Sequence, residues 1–252
     1  LMQTTCKIDG NHWVVNGRKA FITGADGASV GIIMAKSQEP SSEGGACMFL
    51  VDLPHPAIKI ERILDTIDSS MPGGHAVIKI DGLRVPTDQM LGEPGEGFKY
   101  AQIRLAPARL THCMRWLGLA DRAQEIATDY ACRRMAFGKP LIDHEGVGFM
   151  LAQNLIDLQA CELMIKWCAD VLDTGNLGTT ESSMAKTFVA ETLFKIADRC
   201  VQCMGGSGVS GDTIVEQLFR EVRAFRIYDG PTEVHQWSLA KKIKKEWSQQ
   251  HG

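Results

Sequence analysis

The period of the hydrophobic pattern changes once along the chain, near Glu96, and this change most narrows the possible folds. Before it, short alternating runs such as SVGIIMAKS and HAVIKIDGLRV are separated by turn residues, a pattern typical of half-buried strands. After it, apolar residues recur three and four positions apart, as at Leu110 and Met114, which is typical of amphipathic helices. The sequence therefore predicts an α+β protein, with a mostly antiparallel β-domain over 1–92 and an antiparallel helical bundle over 93–252.

Glycine-containing turns divide the β-domain into its strands. Asp9-Gly10 and Asn16-Gly17 are each predicted to close a hairpin, because both residues of such a turn accept positive φ. No stretch between the predicted strands is long enough for a crossover helix, so the sheet is expected to be mostly antiparallel.

Five helices are predicted in the second part of the chain. Pro107 lies in the first part of the first helix, where a kink is expected. Asp143 is expected to cap the second helix and Gly175 to end it. The later helices are expected to run from Thr179 or Thr180 to Gly205-Gly206, over about 213–224 and over about 231–247.

Composition limits the classes of partner and compartment. The 252 residues carry a formal net charge of -3, which favours neither nucleic acid nor an anionic membrane as a partner. No apolar stretch reaches the length of a membrane span. The eight cysteines lie mostly in apolar helical runs, which predicts buried free thiols in a reducing compartment. The chain opens on the approach to a strand without an initiator Met, which suggests a fragment of a longer protein.

Two short motifs each allow a structural and a functional interpretation. Gly206, Gly208 and Gly211 have the spacing of a dinucleotide fingerprint, but that fingerprint follows a buried strand, whereas a helical run precedes these glycines. A helix end is therefore favoured, although backbone N–H groups in such a turn can also face a phosphate. Cys200 and Cys203 form a C-x-x-C without a second pair, which favours core thiols over zinc. No histidine has metal-ligand spacing, and no metal site is predicted.

Charged residues near helix ends are equally ambiguous. Arg133, Arg134 and Lys139 either complement a helix dipole or form an anion site. Asp229, in RIYDGPTEVHQW, either caps the next helix or is directed at a ligand. The residues alone favour the cap, since an Asp near a helix start accepts backbone N–H bonds.

Five segments, taken together and in one order, resemble a known family. They are NGRKAFITGA, VPTDQMLGEPGEGFK, RRMAFGKPLIDHEGVGFMLA, RCVQCMGGSGVSG and RIYDGPTEVHQWSLAK. The family is the acyl-CoA dehydrogenases, FAD-dependent flavoproteins of fatty acid oxidation, and the last segment is most similar to the subgroup of family members 10 and 11. The resemblance covers nearly the whole chain, but the family's N-terminal helical domain has no counterpart in it.

The resemblance implies an FAD cofactor shared between two subunits. Phe21 and Thr23 would lie against the isoalloxazine ring, with Thr23 near its N5 atom. The other implied FAD contacts are Arg134, Phe137, Gln202, Gly205, Gly206 and Glu233. A homodimer or a dimer of dimers is therefore implied, with acyl-CoA as substrate and an electron-transferring flavoprotein as electron acceptor. The implied location is the mitochondrial matrix or peroxisome of a eukaryote, or the cytoplasm of a bacterium.

The resemblance also assigns Asp229 as the catalytic base in the conversion of acyl-CoA to trans-2-enoyl-CoA. A carboxylate held at a chain break beside an apolar pocket is expected to have a raised pKa, which suits proton abstraction. Arg109, Tyr228 and Gly230 would contact the substrate. Some relatives carry the base at the position of Ala108, which cannot serve, so Asp229 is the candidate.

Two departures from the family pattern bear on the function. Most relatives have Glu where this chain has Asp229, and Thr where it has Pro231. Without the N-terminal helices the chain is expected to fold poorly alone or to turn over slowly. The alternatives left open are an acyl-CoA oxidase and a non-catalytic homologue that acts as a dimerising scaffold.

Overall fold

A computed structural model describes residues 2–68 and 71–251. The chain divides into two compact units, Leu1–Arg104 and Leu105–Gly252, each described by itself below. The first unit is a largely antiparallel sheet and the second a helical bundle, so the predicted α+β class is confirmed. Within the described residues, no helix has both the length and the apolar character needed to cross a membrane.

The first unit is built on one six-stranded sheet. Its strands are β1 (Thr5–Asp9), β2 (His12–Thr23), β3 (Val30–Ser37), β4 (Ala46–Asp52), β5 (Ile58–Leu64) and β6 (His75–Pro86). They lie in the order β4-β3-β1-β2-β6-β5. The β1–β3 pair is parallel and the other neighbouring pairs are antiparallel.

The two predicted hairpin turns have different outcomes. Gly10 has φ +62 and joins β1 to β2, so the Asp9-Gly10 hairpin is confirmed. The prediction at Asn16-Gly17 was wrong, because this pair lies inside β2 at a register shift against β6. A Cβ on Gly17 would lie 2.6 Å from the Cα of Thr4. Glycine is therefore needed here for close backbone approach at a bulge and not for a chain reversal.

Alternation along β2 determines which of its side chains reach the core. Trp13 and Val15 are buried, and the Trp13 ring lies 5.6 Å from the ring of Phe49 on β4. A second register shift, between Lys19 and Ile22, interrupts the alternation near the end of β2. Bulges of this kind change the direction of the side chains that follow them.

The second unit contains the helices and a short hairpin. The helices are α1 (Gly97–Arg133, which begins in the first unit), α2 (Glu145–Asp173), α3 (Thr179–Met204), α4 (Ile214–Phe225) and α5 (Thr232–His251). The hairpin strands are β7 (Met135–Ala136) and β8 (Lys139–Pro140). The predicted helix positions are thus confirmed, and Pro107 lies inside α1.

One predicted helix cap was wrong and two predicted helix ends are confirmed. Asp143 is the last residue of a 3₁₀ turn, and His144 occupies the N-cap position of α2. Gly175 follows the end of α2 with φ +82, and Gly205 follows α3 with φ +56. These positive φ values are open to glycine without a steric penalty, so the chain can leave the helix there.

Small side chains allow the helices of the bundle to pack closely. On α1 the buried positions Ala120, Ala123 and Ala127 follow helical spacing and contribute to the core of this unit. Cys200 and Cys203 of α3 are buried in the same core, and burial raises their pKa values to about 12 and about 11. Their assignment as core thiols is therefore confirmed, and these protonated thiols are poor nucleophiles.

Candidate functional site

A short segment joins α4 to α5, and we call residues 226–232 the corner. Asp229 has φ 53 and Gly230 has φ 105. A non-glycine residue in the left-handed region is uncommon and costs on the order of 1 kcal/mol or more. The surrounding structure must therefore hold Asp229 in this conformation.

Glu191 of α3 ties the two ends of the corner together. Its Oε1 atom lies 2.8 Å from Nε of Arg226, at the start of the corner, and accepts a hydrogen bond of 2.7 Å from the Thr232 hydroxyl, at its end. Burial raises the pKa of Glu191, but the hydrogen bonds from these two partners outweigh it, and the net pKa is below its ordinary value. The Glu191 carboxylate is therefore charged, and it accepts from a residue at each end of the corner.

The carbonyl groups of the corner accept from buried basic side chains. Asp229 O accepts from Arg109 Nε at 2.9 Å and from His235 Nε2 at 3.3 Å. Gly230 O accepts from Lys186 Nζ at 2.6 Å. Hydrogen bonds that involve a charged donor are among the stronger ones in proteins. These contacts fix the two peptide groups on either side of Gly230.

Burial shifts the protonation of two of these donors. It lowers the pKa of Lys186, which is 0% exposed, to about 8, and lowers that of His235 to about 4. His235 is therefore neutral near pH 7, and its Nε2 must carry the proton that it donates to the Asp229 carbonyl.

The side chain of Asp229 is 19% exposed and lies beside a histidine. Its Oδ2 atom is 3.2 Å from Nε2 of His112 on α1. The His112 ring in turn meets the edge of the Tyr228 ring, with centroids 5.2 Å apart. The Tyr228 hydroxyl accepts hydrogen bonds from Trp116 and Arg115, and burial raises its pKa to about 12. The Asp229 carboxylate is thus bordered by an imidazole, which in turn contacts a neutral phenol.

This geometry bears on the capping interpretation of Asp229. Helix α5 begins at Thr232, three residues after Asp229, so Asp229 is not the residue that precedes the helix. Its carboxylate is instead paired with a side chain of α1. Ala108, the alternative position for a base, lies next to Arg109 on the same helix and carries no titratable group.

The remaining candidate residues of the second unit lie mostly at its surface. Phe137, in the β7–β8 turn, has φ 49 and is 97% exposed. The other exposed candidates are Arg134, Gln202, Gly205, Gly206 and Glu233. Gly208 has a packing role, because a Cβ there would lie 2.3 Å from the carbonyl oxygen of Val201. The glycine segment that matches the spacing of a dinucleotide fingerprint therefore follows helix α3 and packs against its last turn.

The candidates of the first unit lie at the end of β2. Phe21 has φ 57 and is 68% exposed. Thr23 is exposed, and its hydroxyl lies 2.8 Å from Nδ1 of His75. The other ring nitrogen of His75 lies 3.0 Å from Oδ2 of Asp68. An aromatic ring and a hydroxyl are thus presented together where the strand ends.

Sequence reasoning missed several residues that contact the candidates, among them His75, His112, Lys186 and His235. It interpreted the histidines only as surface or core residues, because none has metal-ligand spacing. A signal for His112 was available, since Arg109 and His112 are three residues apart and so share one face of α1. Lys186 could also have been found, because a lysine on the apolar face of a predicted helix is unusual.

Two family models match the chain. The acyl-CoA dehydrogenase middle domain matches residues 1–73, and the acyl-CoA dehydrogenase C-terminal domain matches residues 95–244. Acyl-CoA dehydrogenase family member 11 of Gallus gallus is 34% identical over 257 residues, which cover 97% of this chain and 33% of that protein.

Two further comparisons agree. The human mitochondrial short-chain specific acyl-CoA dehydrogenase is 32% identical over 94% of this chain and 57% of its own length. The structure of butyryl-CoA dehydrogenase from Megasphaera elsdenii aligns with a TM-score of 0.89 at 26% identity, over 96% of this chain and 63% of that one. The chain thus spans between about one third and two thirds of these relatives. With its C-terminal model alone matching more than half of the residues, this chain belongs to the acyl-CoA dehydrogenase family.

Proposed function

We propose that the protein carrying this chain oxidises an acyl-CoA to the trans-2-enoyl-CoA, with FAD as cofactor and Asp229 as the base that removes the α-proton. The observation that carries the proposal is the corner, which holds Asp229 at φ 53 with buried basic donors on its own carbonyl and on that of Gly230. A structural cap would not need such support. A base must be held to within a fraction of an ångström of its target proton, and the contacts of the corner provide that rigidity.

The environment of the Asp229 carboxylate suits proton transfer. The side chain is only partly exposed, so water competes little for its oxygens, and His112 borders one of them. Asp has one methylene fewer than the Glu of most relatives, so the substrate α-carbon must lie closer to the corner backbone. Arg109, Tyr228 and Gly230 are proposed to contact the thioester end of the substrate.

The described residues fit an FAD molecule in their chemistry. Exposed aromatic rings at Phe21 and Phe137 offer stacking surfaces for flat ring systems. Arg134 offers an exposed cation for a pyrophosphate, and a Cβ on Gly205 or Gly206 would meet nothing within 4 Å, so a ligand can approach that backbone. FAD, when bound, supplies the acceptor for the hydride that leaves the β-carbon. Gln202 and Glu233 are proposed as further polar contacts.

We further propose a homodimer or a dimer of dimers that passes electrons to an electron-transferring flavoprotein. Large apolar side chains are more than half exposed on α2, at Phe149, Leu155 and Leu163, and on α5, at Trp237 and Trp247. Apolar faces of this kind on helices of a bundle are typical of surfaces that another subunit covers. Phe137, almost fully exposed at a hairpin tip, would contact the FAD of a neighbouring subunit.

Anaerobic titration of the purified protein with a panel of acyl-CoA substrates tests this proposal. Bleaching of the flavin absorbance by at least one substrate is expected. Asp229→Asn should keep FAD and slow the bleaching roughly a hundredfold or more, while Asp229→Glu should be slowed less. Asp173→Asn, an exposed aspartate at the end of α2, is the matched control and should behave as the wild type.

The same experiment separates the alternatives. Rapid reoxidation of the bleached flavin by air alone would identify an oxidase, whereas slow reoxidation supports a dehydrogenase. A stable, colourless dimer that binds no flavin would contradict the proposal and support a scaffold. Full activity in Asp229→Asn would remove Asp229 from its proposed role.

A further inference from the structure

Three side chains at the end of β2 form one hydrogen-bonded series within the first unit. Thr23 Oγ1 lies 2.8 Å from His75 Nδ1, and His75 Nε2 lies 3.0 Å from Asp68 Oδ2. The His75 and Asp68 side chains are largely buried, with 12% and 16% of their surfaces exposed, whereas Thr23 is exposed. The exposed residue Thr23 is therefore hydrogen-bonded to the largely buried His75–Asp68 pair.

The direction of the two hydrogen bonds follows from a charged Asp68 together with a neutral His75 ring. Burial raises the pKa of Asp68, but hydrogen bonds from Thr66 and His75 outweigh it, and the net pKa is below its ordinary value. An ionised carboxylate only accepts, so His75 Nε2 carries the proton. In the neutral ring Nδ1 is then the acceptor, and the Thr23 hydroxyl must donate its single hydrogen to it.

Thr23 is thereby left with only lone pairs for a ligand. A hydroxyl ordinarily donates or accepts as its partner requires, but here its hydrogen is already committed to His75. The ligand atom that meets Thr23 must therefore be a donor.

Resting on the proposed function, we propose that His75 and Asp68 are positioning residues that hold Thr23 as an acceptor toward the flavin and so favour its reduced form. Reduction places a hydrogen on a flavin nitrogen that is bare in the oxidised form. An acceptor at that nitrogen stabilises the reduced form, and a donor stabilises the oxidised form. The protonation of His75 determines whether Thr23 can act as a donor or only as an acceptor toward the flavin.

The tautomer of His75 is the first test, and it needs neither flavin nor turnover. The ¹⁵N chemical shifts of the His75 ring, assigned by comparison with His75→Phe, report which nitrogen carries the proton. At pH 8 we expect the Nε2–H form in the wild type and a changed Nδ1 shift in Thr23→Val, which removes the donor. An Nδ1–H form in the wild type would overturn the proposal.

The second test is a double-mutant cycle on the flavin reduction potential, measured with a chemical reductant so that acyl-CoA turnover is not required. His75→Phe should shift the ratio of reduced to oxidised flavin about tenfold toward the oxidised form, which is about 30 mV for a two-electron couple. In the T23V background the same His75 substitution should have no further effect, because the two residues act through one contact.

His55→Phe is the matched control, since His55 is another half-buried imidazole of the first unit whose Nδ1 accepts from the Ala57 backbone. It should leave the potential unchanged. Equal shifts from H75F with and without Thr23 would show that His75 acts independently and would refute the proposal. If the wild type binds flavin but no acyl-CoA bleaches it, the proposed reaction fails while the tautomer and the potentials still decide the role of His75.

Discussion

Replacing Lys186 by Met tests how the corner is held. Lys186 is fully buried on α3, donates to the Gly230 carbonyl at 2.6 Å and lies 5.3 Å from the centroid of the Phe225 ring. Burial lowers its pKa from 10.5 to about 8, against the opposing influence of the Asp229 carboxylate. The difference corresponds to roughly 3 kcal/mol against the charged form in the folded protein.

The sign of the pH effect follows from this lowered pKa. Between pH 8 and 10.5 the unfolded chain keeps the Lys186 proton while the folded protein loses it. Stability therefore rises with pH across this window, by up to roughly 3 kcal/mol from this residue. Below pH 8 both states are protonated and the contribution is constant. Met cannot titrate, so Lys186→Met should remove this rise.

The absolute change in stability near neutral pH is expected to be small. Met relieves the cost of a buried charge but leaves the Gly230 carbonyl without its donor, which costs roughly 1–3 kcal/mol. The two effects largely offset each other, so the slope with pH is the more informative quantity.

Urea unfolding, followed by the helical circular dichroism signal at several pH values, measures that slope. Lys195→Met, an exposed lysine on the same helix, is the control and should give a curve parallel to the wild type. Parallel curves for K186M and the wild type would refute the argument, because they would show that Lys186 has an ordinary pKa.

Three further substitutions probe the corner. Burial lowers the pKa of His235 from 6.5 to about 4, so the wild type should lose roughly 3 kcal/mol of stability as pH falls through that range, and His235→Gln should lose less in the same urea titration. Gly230→Ala places a Cβ 2.6 Å from His235 Nε2 at φ +105 and should cost roughly 2 kcal/mol, whereas Gly146→Ala, where nothing lies within 4 Å, should not destabilise. His112→Ala removes the imidazole beside Asp229 and should slow flavin bleaching roughly tenfold with FAD retained. The neighbouring Thr111→Ala should not slow the bleaching. An equal loss in both variants would assign the effect to helix α1 itself.

The sequence was sufficient for the architecture because two periodicities determine it. Alternation placed the strands, and spacings of three and four placed the helices, since both patterns reflect burial of one face. The hairpin prediction at Asn16-Gly17 failed because local turn preference was overridden by pairing of β2 with β6 along its length. The cap prediction at Asp143 failed because Asp143 belongs to a 3₁₀ turn, which moves the N-cap of α2 by one residue, to His144.

Only the part of the candidate site formed by residues adjacent in the sequence was predictable. Asp229 stood out because Tyr-Asp-Gly-Pro interrupts two helical runs. Its supports come from three different helices, with His112 on α1, Lys186 on α3 and His235 on α5. Spacing can place two residues on one face of one helix, but it does not report which residues of the other helices they contact, since those contacts arise from tertiary packing.

The most direct test of the central claim isolates the proton step from the flavin. An acyl-CoA without β-hydrogens cannot be oxidised, but a functioning base still exchanges its α-hydrogens with solvent deuterium, which mass spectrometry detects. We expect the purified protein to catalyse this exchange and the D229N variant to lose it. Exchange at the wild-type rate in D229N would show that another group removes the proton and would contradict the role assigned to Asp229.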